Sequence, residues 1–112
     1  MKYRLLAGVC LAALAGCTTA TDMLKREPVF FGHTTRSPQE YAECVADAWR
    51  RQGENPQVSP TDYGMDVTLG SVTGMAAALR VQKWANGRVE IRMSARSSFG
   101  SRDLVQAANL CM

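Results

Sequence analysis

Leu79-Arg80-Val81-Gln82-Lys83-Trp84-Ala85-Asn86-Gly87-Arg88-Val89-Glu90-Ile91-Arg92-Met93 is the stretch whose reading decides the fold. Apolar residues alternate with polar ones on both sides of Asn86-Gly87, which is the period of a half-buried strand. A two-residue Asn86-Gly87 turn would pair Gln82 with Ile91 and put Leu79 and Val81 on the opposite face from Val89, Ile91 and Met93. A three-residue Ala85-Asn86-Gly87 loop, with Gly87 in the left-handed conformation of a bulge, pairs Val81 with Ile91 and Leu79 with Met93 instead. That register makes one continuous apolar face, and slipping it by one residue would send half of the core into water. The longer loop is therefore expected.

The same register defines an outer face. Arg80, Gln82 and Trp84 stand opposite Arg92, Glu90 and Arg88, so an exposed Trp lies in a basic strip. Arg80, Trp84, Arg88 and Arg92 form a possible partner surface, since Trp and Arg are enriched at binding hot spots. The alternative is cross-strand packing with a cation-π pair on a solvated sheet, or a face covered by another part of the chain.

Upstream, Tyr63, Met65, Val67 and Leu69 alternate with Gly64, Asp66 and Thr68 and read as a strand, followed by a turn over Gly70-Ser71-Val72-Thr73-Gly74. The strand entering the hairpin begins at Met75 or Ala76. Further upstream lies a helix: Ser37 is its N-cap, Pro38 sits at N1, and Glu40 at N3 completes a capping box. Tyr41, Cys44, Val45, Ala48 and Trp49 then make one apolar stripe, and Gly53 stops the helix ahead of Pro56. Downstream, Ser94 to Ser97 or Ser98 prolongs the last strand, and Gly100 or Ser101 caps a short helix with Leu104, Ala108 and Cys111 on one face. The expected fold is α+β: a helix, a three-stranded antiparallel meander and a C-terminal helix, with both helices on one sheet face.

The N-terminus reads differently. Lys2 and Arg4 precede an uncharged apolar run from Leu5 to Ala15 that ends in small residues, as a cleavable secretory signal requires. It is shorter than the roughly 20 residues of a spanning helix. Its last residues, Leu14-Ala15-Gly16-Cys17, resemble at all four positions the lipobox of bacterial lipoproteins. The resemblance covers residues 1–17 and implies that the signal is cut before Cys17 and that Cys17 carries lipid. Two or more acyl chains anchor a protein stably where one does not. Lipoproteins kept at the inner membrane usually carry Asp after the lipidated Cys, and Thr18 stands here, so the expected location is the outer membrane, facing the periplasm.

Cysteine arithmetic follows from that resemblance. Of four cysteines, Cys10 leaves with the signal and Cys17 carries lipid, so Cys44 and Cys111 remain for one disulfide in an oxidising compartment, two buried free thiols being the alternative. Zinc is disfavoured, because His33 alone could join them and the spacing is not that of a ligand set. The expected organisation is a signal peptide at 1–16, a lipidated N-terminus and linker at 17–36, and a small periplasmic domain at 37–112. Within the linker, Phe30 and Phe31 pack on the domain or form an edge strand in preference to serving as a free recognition peptide.

Charge excludes one class of function. The 13 basic residues less Lys2 and Arg4 leave 11 against 10 acidic residues, so the mature chain is near neutral and offers no clustered basic surface for nucleic acid. Catalysis lacks support as well. His33 is the single histidine, no nucleophile elbow or phosphate loop is present, and Asp62 and Asp66, about 13 Å apart if extended, are too distant to act on one bond. No cofactor or metal is implied. The expectation is a membrane-anchored binding or adaptor module with an envelope protein partner, the alternative being a soluble-ligand module that binds cell wall, glycan or a periplasmic enzyme as an inhibitor.

Overall fold

The computed structural model describes residues 20–71, 74–97 and 101–112; residues 1–19, Cys17 among them, Val72-Thr73 and Ser98 to Gly100 lie outside them. Among the described residues, three helices and five strands follow in the order α1 (Ala20–Leu24), β1 (Phe30–Thr34), α2 (Pro38–Arg51), β2 (Gln57–Thr61), β3 (Gly64–Ser71), β4 (Gly74–Lys83), β5 (Val89–Ala95) and α3 (Arg102–Leu110). The strands make one sheet in the order β1-β5-β4-β3-β2, antiparallel throughout. β1 and β2 occupy opposite edges, and α2 carries the chain across the sheet between them.

The central hairpin takes the register expected from its pleat. Val81 faces Ile91 and Leu79 faces Met93. The Trp84 N–H donates to the Arg88 carbonyl at 2.8 Å and the Gly87 N–H to the Trp84 carbonyl at 2.9 Å, with Gly87 at φ +84°. Asn86 Oδ1 accepts from the Arg88 N–H at 3.0 Å. A Cβ at Gly87 would strain that left-handed backbone, which is why the loop needs glycine there.

α2 is capped at both ends. Ser37 Oγ accepts from the Glu40 N–H at 3.2 Å. At the other end Gly53 turns to φ +89°, its N–H donating to the Arg50 carbonyl while the Glu54 N–H reaches the Trp49 carbonyl. These two bonds are a Schellman motif, and they satisfy carbonyls that the end of a helix would otherwise leave open.

Both α2 and α3 pack on the sheet face built by Val67, Leu69, Leu79, Val81, Ile91 and Met93. Side chains of α2 also hold α3 by its backbone. The buried Tyr41 hydroxyl donates to the Ala108 carbonyl at 2.6 Å and Trp49 Nε1 to the Leu104 carbonyl at 3.2 Å. Burial pushes the Tyr41 phenol above its ordinary pKa, so it remains a donor. Cys44 and Cys111 are bonded across the same seam with Cα atoms 5.8 Å apart, tying the two helices as the cysteine arithmetic anticipates.

Two expectations require correction. The sheet has five strands rather than a three-stranded meander. β2 has one apolar side chain, Val58, in an edge position and carries Pro60, so it shows no alternation, although Gln57 to Thr61 pair in register with Thr68 to Gly64. β1 places adjacent phenylalanines on opposite faces and has Gly32 at its centre, which hides its period; it pairs with β5, Phe30 against Met93 and Thr34 against Val89. The segment expected to be a linker is the second correction. Residues 20–24 form α1, whose Met23 and Leu24 are buried against Ala78 on the sheet face opposite α2 and α3. The Ser94 hydroxyl fastens the chain beyond α1 by donating to the Arg26 carbonyl at 3.2 Å. Both α1 and β1 thus belong to the folded body, and the domain begins well before residue 37.

Candidate functional site

The outer sheet face divides into two halves. α1 covers one, with Thr21 Oγ1 3.4 Å from Arg80 Nη2 at its margin. The other half is open and consists of two cross-sheet rows fixed by strand register. The first runs Asp66, Arg80, Arg92, Phe31 over β3, β4, β5 and β1. The second runs Gln82, Glu90, His33, with Trp84 and Arg88 beyond it at the hairpin end.

Of the four residues expected to form a partner surface, Arg80 is engaged within the fold. Its Nε and Nη2 donate to Asp66 Oδ1 and Oδ2, both at 2.8 Å, in a two-pronged fork. These hydrogen bonds raise the guanidinium pKa against the lowering effect of burial. The fork satisfies both carboxylate oxygens of Asp66 at a buried position of the sheet. Replacing Arg80 by Ala should cost about 2–4 kcal/mol by stranding the Asp66 carboxylate, and adding Asp66→Ala should restore part of that loss. Thermal unfolding of the two single mutants and the double mutant measures the coupling; additive losses would mean that the pair is not a unit.

Trp84, Arg88 and Arg92 are exposed, and the structure adds residues that sequence reasoning did not bring to this face. Trp84 Nε1 donates to Glu90 Oε2 at 2.8 Å, so the indole is fixed by a carboxylate. Glu90 Oε1 lies 3.9 Å from His33 Nε2, and the His33 ring meets Phe31 edge-on at 5.7 Å between centroids. Phe31 and Trp84, 53% and 47% exposed, therefore end a chain of contacts running Phe31, His33, Glu90, Trp84. Phe31 and His33 could have been placed here only by knowing that β1 adds to β5. Among the described residues, no acidic side chain pairs with Arg88 or Arg92. The result is a fixed aromatic pair flanked by two uncommitted guanidinium groups, a surface suited to an apolar contact with anionic groups around it.

The rest of the molecule offers less. A cleft of about 550 Å³ lies where the chain after α1, the end of β5 and the start of α3 meet, lined by Arg26, Pro28, Val29, Ala95, Arg102 and Val105 among others. It is wide open, and Glu27 lies in its lining beside the two arginines. Among the described residues there is no cluster of His, Cys, Asp or Glu able to hold a metal ion, and no helix is long and apolar enough to cross a membrane. No protein-family model, curated protein or solved structure matches the chain.

Proposed function

We propose that the chain is a cell-envelope lipoprotein, held by lipid on Cys17 to the outer membrane on its periplasmic side, where it serves as a binding or adaptor module and not as an enzyme. The observation that carries this reading is the Cys44–Cys111 bond. A disulfide joining two helices suits an oxidising compartment, and it uses both cysteines of residues 20–112, while Cys17 ends a stretch that resembles a lipobox. The binding surface is the open half of the outer face, where Phe31 and Trp84 are exposed beside Arg88 and Arg92. Its chemistry favours an anionic component of the envelope.

Cys17→Ala tests the anchor. The variant should leave the membrane fraction for the soluble periplasm, or accumulate as uncleaved precursor, and should take up no radiolabelled palmitate. A Cys17→Ala protein that still gains lipid label would sink the assignment.

A further inference from the structure

We propose that the open half of the outer sheet face seats directly on an anionic bilayer surface, with Phe31 and Trp84 entering the headgroup layer and Arg88 and Arg92 meeting lipid phosphates. This rests on the lipid-anchor reading for its strongest argument, the length of chain between anchor and fold. α1 begins at Ala20, and the three links from Cys17 to Ala20 span at most about 11 Å. α1 itself lies on the outer face, through Met23 and Leu24 on Ala78. The short tether therefore leaves from the outer side of the sheet, while α2 and α3 lie on the other side, about 10 Å away. A domain held this way turns its outer face to the lipid. Too little height remains beneath it for a folded protein partner.

Charge and side-chain type on that face match the occupant. Asp66 is neutralised by Arg80, and Glu90 is engaged by Trp84 and His33. Arg88 and Arg92 are left as exposed positive charges, joined near the end of α1 by the exposed Arg26, while Lys25 lies 3.7 Å from Asp22 Oδ1 of the same helix. On the opposite side, α2 exposes Glu40, Glu43 and Asp47 against Arg50 and Arg51. The exposed guanidinium groups of the outer face thus lie on the side toward which the tether leads. Trp, Phe and Arg are the side chains that partition to the headgroup boundary, where the rings find apolar contact and guanidinium groups find phosphate. Each basic group near an anionic surface adds attraction that salt screens.

The two tryptophans make the test direct, because Trp49 is fully buried and Trp84 is exposed, so a change in emission on binding reports Trp84. Every described element lies in residues 20–112, so the oxidised chain from Thr18 onward is the test molecule. It would be mixed with vesicles of phosphatidylethanolamine and phosphatidylglycerol in equal amounts, and separately with phosphatidylcholine vesicles. Expected are a blue shift and protection from acrylamide quenching with the anionic vesicles alone, both reversed by high salt. Arg92→Glu and Arg88→Glu should each lower partitioning about tenfold or more, with an unchanged unfolding midpoint showing that the fold is intact. Phe31→Ala should weaken partitioning and keep the reporter. A second measurement uses the lipidated full chain in the same anionic vesicles, with bromine-labelled acyl chains as a quencher of Trp84. Absence of any shift, or a Trp84 in the lipidated protein that acrylamide reaches freely and brominated lipid does not, would overturn the proposal. Palmitate labelling of Cys17 is read separately. Vesicle binding without label would leave the surface standing while the anchor fails, and label without binding would do the reverse.

Discussion

Reduction of the Cys44–Cys111 bond will lower the unfolding midpoint of the domain by about 15–30 °C. The bond spans 67 residues, and the chain-entropy account assigns a loop of that length about 4 kcal/mol, an upper figure because residual structure in the denatured chain reduces it. That is most of the stability of a small domain. Cys44→Ala and Cys111→Ala should have nearly equal effects, and the double mutant should lose little more, since either change alone removes the same bond. Thermal unfolding with and without reductant, together with thiol counting on the denatured and unreduced protein, checks all three statements. Two titratable thiols, or single-mutant losses that add, would show that the cysteines act independently.

The second large effect is Trp49→Ala, expected to cost about 3–5 kcal/mol and to leave the chain at the limit of folding. Trp49 is wholly buried between α2 and the sheet, and its Nε1 also holds the Leu104 carbonyl of α3. Truncation opens a cavity and removes a bond that joins the two helices. Trp49→Phe keeps most of the volume and loses the donor, so its cost should be about 1–2 kcal/mol. Near-ultraviolet circular dichroism and thermal unfolding of the two variants separate packing from hydrogen bonding. Equal losses would mean that the bond to Leu104, and not the filled volume, carries the effect.

Both predictions concern parts of the fold that are legible in the sequence itself. α2 announces itself through Ser37, Pro38, Glu40 and a clean stripe, because capping chemistry and helical period are written locally. The hairpin register was equally open, since only one loop length keeps Val81, Ile91, Leu79 and Met93 on one face. What escaped has a common cause. Edge strands such as β1 and β2 are held by one neighbour and bury one side chain or two, so their period is not forced into the sequence. α1 is too short for any period to be counted. The candidate surface was legible to the same extent: Trp84, Arg88 and Arg92 followed from the hairpin alone, whereas Phe31 and His33 needed the pairing of β1 with β5. The Asp66–Arg80 fork needed the β3–β4 register, and its signal was a carboxylate at an outward position of a strand next to an outward arginine.

The seat of β1 also governs how the molecule comes together. Phe30 meets Met93 across 63 residues of chain, whereas β4 and β5 are neighbours through Ala85-Asn86-Gly87. A short hairpin closes within about 1–10 μs, while a contact this distant must first meet a large closure entropy. β5 therefore waits, with the backbone groups destined for β1 unpaired along Val89, Ile91 and Met93. A bare strand edge of that composition is the template on which two incomplete chains join. The yield of native protein is then set by a race between β1 of the same chain and β5 of the next. Dilution and any chaperone that caps that edge favour the first runner.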